Sequence, residues 1–324
     1  SLGLVGSEMC IRDSYTPAGF SYSVGDNPSF PLFLRPFPAS NCAHRERDHK
    51  FHFCCYLLEP VPSNVFNRTV MQEGCMKREI IVVTAAYGQQ QVKAMGGQQA
   101  LLPVIAAAGA DGVEIRRELM TEHELASLPV MAEAIRHVGL VAFYSVPEAL
   151  FMADGSLNPR LDQHFAEAEQ LNAQLIKYAL GHYDPRFPCQ ALRSKLAGKK
   201  VHLVVENDQT DCGKLAALDR FFHACGESRT CNGMTFDMGN WLWVGDKPLE
   251  AAARLNRYVS YIHVKAAVRQ GEGWRAVALD EADNLWRDTL ALLPADVPRA
   301  IEFPLEGPDL VAVTRHYVDL LREE

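Results

Sequence analysis

The chain has 324 residues, 48% of them hydrophobic and 22% charged, with 22 Gly and 18 Pro. That composition excludes collagen-like, coiled-coil and disordered classes, and the length is ample for one large domain or two medium ones with real cores. A formal net charge of -8 disfavours nonspecific nucleic-acid binding, and no apolar run approaches the roughly 20 residues of a membrane-spanning helix.

Residues 1–75 sustain neither helical nor strand periodicity. They mix Pro-rich, aromatic and His/Cys pieces such as SFPLFLRPFPAS and HKFHFCCYLLEP. With no basic start, continuous apolar region or small-residue cleavage site, the segment does not read as a signal peptide. Residues 4–14, LVGSEMCIRDS, resemble the conceptual translation of a transposase adaptor used in DNA sequencing libraries. The resemblance implies that 1–75 is a non-native, poorly ordered stretch of adaptor and upstream DNA read through in frame, dispensable for folding, with Met76 as the natural start. A genuine, unusual extension is the alternative. His44, His49, His52, Cys54 and Cys55 lack the paired spacing of a zinc site.

From Met76 the pattern becomes regular. Apolar, β-rich runs at 79–86, 112–116, 139–145, 173–180, 200–206, 234–238, 259–265 and 299–303 predict eight strands. Most are continuous rather than alternating, as expected of strands buried on both faces. Between them lie helical spacings: Leu215, Leu218, Phe222 and Cys225, and Leu310, Val313, Tyr317 and Leu321. Gly109, Gly139, Gly198 and Gly226 stand where helices should stop. Pro103 and Pro129 either interrupt or start the first two helices. Eight βα units over residues 76–324 match a (β/α)8 TIM barrel. The rival, a doubly wound sheet, needs a Gly-rich turn after its first strand, and VTAAYGQQQ is not one.

Four residues of metal-ligand type close four successive strands: Glu206 ends VVE, Asp237 ends TFD, His263 lies in YIHVK and Glu302 in AIEF. In a barrel, the C-terminal strand ends converge on one mouth. Three carboxylates and one imidazole there suit Mn²⁺, Mg²⁺ or Co²⁺, with Zn²⁺ a further option. A solvent-facing strand end is the alternative reading for any one of them alone.

On these residues, 76–324 resemble the xylose isomerase-like barrel superfamily, in particular its sugar (phosphate) isomerases and epimerases. The resemblance implies that Glu206, Asp237, His263 and Glu302 hold a divalent metal, Mn²⁺ first. It also implies that Glu206 and Glu302 double as the acid/base pair. Arg269, six residues after His263, matches an arginine that contacts substrate oxygens in the ketose 3-epimerase branch; an ordinary loop arginine is the alternative. Two departures weaken any assignment to that branch. Asn240 stands where the branch carries a histidine, and Cys212 where it carries a glutamate. Apurinic endonucleases share the barrel, but VKAAVRQGEGW supplies none of their extra ligands.

Further candidates line the strand ends. Glu114, Arg116, Lys177 and Asn240 are expected to bind substrate, with a structural ion pair (Glu114, Arg116) and a snorkelling lysine (Lys177) as alternatives. Tyr144 is a further polar residue expected to line the pocket; Trp241, Trp243 and Trp274 stack on a sugar face, cover the mouth or simply pack; His182 reads as a loop histidine; His202, His223 and His316 have no assigned role. Cys212, Cys225 and Cys231 are expected as separate thiols in a reducing cytosol. The expected activity is a metal-dependent sugar, sugar phosphate or keto-sugar isomerase or epimerase working through an enediolate. A keto-inositol or keto-sugar dehydratase and a non-catalytic sugar-binding barrel are the alternatives. The expected setting is cytoplasmic, with a small-molecule sugar as partner, neither nucleic acid nor membrane, and self-association left open.

Overall fold

The computed structural model describes residues 78–225 and 233–324. The expectations for 1–75, Met76, Gly226 and Cys231 lie outside the described residues.

The barrel wall is built from β1 (Ile80–Val83), β2 (Gly112–Arg116), β3 (Val141–Phe151), β4 (Ala173–Gly181), β5 (His202–Glu206), β6 (Gly233–Asp237) and β7 (Val259–Val264). Two further strands, β8 (Ala266–Gln270) and β9 (Gly273–Val277), form a separate antiparallel hairpin before β10 (Arg299–Ile301) completes the wall. The closed order is β1-β10-β7-β6-β5-β4-β3-β2, with every wall pairing parallel. The predicted (β/α)8 barrel is therefore the fold.

Helices run between the strands and cover the outside. Pro103 and Pro129 start helices Leu102–Ala107 and Leu128–His137 rather than breaking them, because the missing N–H falls where no intrahelical partner exists. Gly109 and Gly139 follow those helices with φ of 86° and 78°, the left-handed conformation that closes a helix cheaply only at glycine. Four predicted strands are shorter than expected, among them β1 and β10. β1 gives way to a 3-10 turn at Thr84–Tyr87, and β10 ends one residue before Glu302. β3 is longer than expected and irregular against β4. The β8–β9 hairpin was not foreseen.

Strand alternation sorts the side chains. One parity faces the lumen, where Ile81, Val83, Phe143, Leu175, Val204, Tyr261 and Ala300 form a small apolar floor. The other parity joins the helices in the main core, including Ile80, Val82, Ile176, Val205, Phe236 and Ile262. Extending the lumen parity toward the strands' C-terminal ends selects Glu114, Arg116, Ser145, Lys177, Glu206, Asp237 and His263, all buried. Tyr144 has the opposite parity. Its hydroxyl donates to Glu167 at 2.8 Å in the helix layer, so it does not line the mouth. Trp241 likewise packs outward against Phe236, ring centroids 5.4 Å apart. Cys189 and Cys225, at the facing ends of helices Cys189–Leu196 and Leu215–Cys225, are joined in a disulfide. This corrects the expectation of a separate thiol at Cys225; the helices bring the two Cα atoms to 5.2 Å, within bridging range.

Glu167 ties this outer layer together. It accepts from Arg117 at 2.8 and 3.0 Å, from Tyr144, and from Gln163 at 2.9 Å. Burial alone would raise its pKa, but the Arg117, Tyr144 and Gln163 bonds prevail and bring it to about 2. A depressed carboxyl stabilises the fold above its unfolded pKa of about 4.3, and that contribution is lost as pH falls toward 2. Glu167→Gln is expected to lower stability by about 1–3 kcal/mol at pH 7. Denaturant melts from pH 6 to pH 2 should show a shallower acid limb in the variant; parallel curves would remove Glu167 from the account.

Candidate metal centre

Four neighbouring wall strands, β5, β6, β7 and β10, deliver Glu206, Asp237, His263 and Glu302 to one point. One ligand atom from each lies within 4.8 Å of all the others. Each residue has one polar atom tied off by the protein and another aimed at its fellows. Glu206 Oε2 accepts from Lys177 Nζ, while Oε1 lies 2.9 Å from His263 Nδ1. Asp237 Oδ1 accepts from the Gly239 and Asn240 N–H groups at 2.8 and 2.9 Å, leaving Oδ2. Glu302 Oε1 accepts from Arg116 Nη1 at 2.8 Å, while Oε2 lies 3.0 Å from His263 Nδ1. His263 Nε2 is 2.8 Å from Glu114 Oε2, leaving Nδ1.

Glu206 Oε1, His263 Nδ1 and Glu302 Oε2 are buried and make no aligned hydrogen bond among the described residues, although Glu302 Oε2 also forms an ion pair with Lys265 Nζ at 3.0 Å. Their mutual approaches are close but misaligned for hydrogen bonds. Buried polar atoms without partners cost free energy; three facing one another suit a shared cation, and one nitrogen with carboxylate oxygens is a donor set for a divalent ion. The residues present therefore fit the metal that the sequence pattern implies. Glu114 completes the arrangement: an acceptor on Nε2 fixes the imidazole's orientation and reserves Nδ1 for a metal. Tyr261, two residues before His263 on the same face, also donates to Glu114 at 2.9 Å.

The electrostatics are strong because the groups are dry. Burial opposes a charge on His263, but Glu114 and Glu302 outweigh it and hold the imidazole well above its ordinary range. Burial also opposes ionisation of Glu302, yet Lys265 and His263 keep its carboxyl well below the usual range. Glu206 is brought to about 2 against its burial by Lys177 and His263. Asp237 goes the other way: burial lifts it to about 7, Lys265 opposing.

Of the residues expected at the site, Glu114, Arg116 and Lys177 are brought in, each as an ion-pair partner of a candidate ligand. Asn240 is adjacent, its Oδ1 accepting from Gln209 at 3.0 Å and Lys265 at 3.2 Å. Arg269 is carried onto the exposed hairpin, where it stacks over Trp274 at 4.6 Å and donates to the Glu272 carbonyl. His182 and Cys212 contact each other, Nδ1 to Sγ 3.8 Å. Two residues escaped the sequence reading. Lys265 follows β7 by one residue and reaches Asp237 Oδ2 at 2.9 Å and Glu302 Oε2 at 3.0 Å. Asn207, fully buried, exchanges two 2.9 Å bonds with the backbone N–H and carbonyl of Asp237. The signal for Lys265 was present: two places after His263, it shares that residue's face.

Solved structures carry the same architecture. A xylose isomerase-like TIM barrel/4-hydroxyphenylpyruvate dioxygenase fusion protein matches with a TM-score of 0.57 and 15% identity, over 75% of this chain and 42% of its own. A probable 3-DHS dehydratase, AsbF, from Bacillus anthracis matches with a TM-score of 0.54 and 12% identity, over 75% of this chain and 98% of its own. The D-allulose 3-epimerase of Methylomonas sp., solved with D-allulose, matches with a TM-score of 0.52 and 11% identity, over 76% of this chain and 97% of its own. The fold is the TIM barrel that these xylose isomerase-like structures share. The chain thus spans under half of the fusion protein and nearly all of the other two. No protein-family profile and no curated protein sequence matches the chain. Among the described residues, no helix of this barrel is long and apolar enough to cross a membrane.

Proposed function

We propose that this protein is a divalent-metal-dependent isomerase or epimerase of sugars, sugar phosphates or keto-sugars, acting by proton transfer through an enediolate. The observation that carries the reading is the convergence of four inward donor atoms on residues whose other polar atoms are already engaged. Glu206, Asp237, His263 and Glu302 would hold the ion; Mn²⁺ is the first choice, and Mg²⁺, Co²⁺ and Zn²⁺ also suit this donor set. Bound there, it supplies Lewis acidity toward a substrate carbonyl.

The chain's own groups do the rest. Glu206 is kept ionised by Lys177 and His263, and Glu302 by Lys265 and His263, the form that accepts a proton from carbon. Once protonated, either glutamate is the acid that returns it. Epimerisation is delivery of a proton to the opposite face of the same carbon by the other glutamate, which must first take one from solvent because both rest ionised; isomerisation is return by the same glutamate to the neighbouring carbon. Lys177, buried beside Glu206, offsets negative charge developing on the enediolate oxygens. Arg116 and Asn240 are the polar groups placed to orient hydroxyls at the rim.

A dehydratase acting on a keto-inositol or keto-sugar is the second reading, favoured by the similarity to AsbF. It begins with the same proton abstraction and ends with loss of water. The deciding experiment incubates the full chain with Mn²⁺ in heavy water and a panel of free, phosphorylated and keto sugars. Deuterium in recovered sugar, abolished by a chelator, is the expected result. Loss of water without deuterated sugar selects the dehydratase. Sugar binding with neither outcome would leave a non-catalytic barrel and overturn both readings.

A further inference from the structure

Three cations surround the four candidate ligands, Arg116 and Lys177 buried and Lys265 partly exposed, and they are not equivalent. Arg116 and Lys177 engage outward atoms, Glu302 Oε1 and Glu206 Oε2. Lys265 alone among these three engages inward atoms: Nζ lies 2.9 Å from Asp237 Oδ2 and 3.0 Å from Glu302 Oε2. Those are the oxygens left for a metal once Gly239, Asn240 and Arg116 have claimed the others. Carboxylate oxygens sit about 2.0–2.2 Å from ions such as Zn²⁺ or Mg²⁺. An ammonium held near 3 Å from the same two oxygens would then be in like-charge contact with the ion.

We propose that Lys265 is a displaceable counter-cation of this centre: its ammonium holds the metal-facing oxygens of Asp237 and Glu302 and releases them when a divalent ion binds. The inference rests on the metal reading above. Two features make release feasible. The Asn240 Oδ1 acceptor, 3.2 Å from Nζ, is not a metal-facing atom and can keep the ammonium partnered. The flexible stem borders a small cavity lined also by Met238, Leu242 and Trp286, so its methylenes are not locked by close packing on that side. Its three donors then remain beside the metal, free for a substrate oxygen. Lys265 is thus a positioning residue of the ligand set and the pocket's adjustable charge.

The test uses the full chain with Mn²⁺ alone. Calorimetry first establishes that Mn²⁺ binds the wild-type protein, and amine modification read by peptide mass spectrometry then follows Lys265 and Lys177 with and without the ion. Lys265 is expected to become several-fold more reactive with Mn²⁺, while Lys177, whose carboxylate oxygen is not claimed, stays protected. Calorimetry on two variants supplies the second readout. Lys265→Met, which removes the competing charge, is expected to bind Mn²⁺ about tenfold more tightly, and Lys265→Arg, which retains it, to stay close to wild type. Unchanged Lys265 reactivity together with unchanged or weaker binding by Lys265→Met overturns the inference while leaving the metal site standing. Absence of Mn²⁺ binding by the wild-type chain overturns the metal reading itself.

Discussion

Glu302→Gln is expected to lower solvent-deuterium exchange into substrate by roughly 10²–10⁴-fold, the usual contribution of a general acid–base group, while the barrel stays folded. The amide keeps the size of the side chain and one coordinating oxygen. It removes the charge that Arg116 and Lys265 both engage, at 2.8 and 3.0 Å, and it removes the basicity that proton transfer needs. Metal affinity should fall as well, because an inward carboxylate oxygen becomes a weaker amide ligand. Circular dichroism, Mn²⁺ titration and exchange measured on one preparation separate these effects. Normal exchange with metal still bound would show that Glu302 carries no proton. Metal binding untouched by changing Glu206, Asp237, His263 and Glu302 together would remove the site altogether.

Glu114→Gln should weaken Mn²⁺ binding by about 10–100-fold, the typical cost of losing a partner behind a metal-bound histidine. Glu114 reaches no candidate ion position of its own. It acts through His263 Nε2 at 2.8 Å, and it also receives the Tyr261 hydroxyl and faces Lys177 at 3.9 Å. The glutamine can still accept one bond, so the imidazole keeps its place but loses the negative charge that makes Nδ1 a strong donor. A modest drop in melting temperature should accompany this, since Lys177 loses part of its compensation. Unchanged Mn²⁺ affinity in a folded Glu114→Gln protein would reduce Glu114 to an ordinary buried ion-pair partner. The two variants differ in signature. Loss at Glu302 falls mainly on turnover, and loss at Glu114 falls mainly on metal occupancy.

The run of eight apolar β-rich segments separated by helical spacings determined the barrel by itself, because a buried parallel strand and an amphipathic helix leave different periodicities. Strand-end position determined Glu206, Asp237, His263 and Glu302 as a group, since a closed barrel must bring its C-terminal strand ends together. Strand parity accounts for the lumen-side placement of Glu114, Arg116 and Lys177. The same rule, applied fully, would have moved Tyr144 outward and brought in Lys265. Only the tertiary structure decided which charge meets which. The pairings of Arg116 with Glu302 and of Glu114 with His263 link residues 186 and 149 positions apart, and they arise because barrel closure lets side chains of strands that are not neighbours in the wall meet across the mouth. Chain path decided the rest. The β8–β9 hairpin carries Arg269 to an exposed stack on Trp274, and the ends of two helices bring Cys189 and Cys225 together. Local periodicity encodes which face a side chain takes, but the partner it finds there depends on closure and loop geometry, which no local pattern contains.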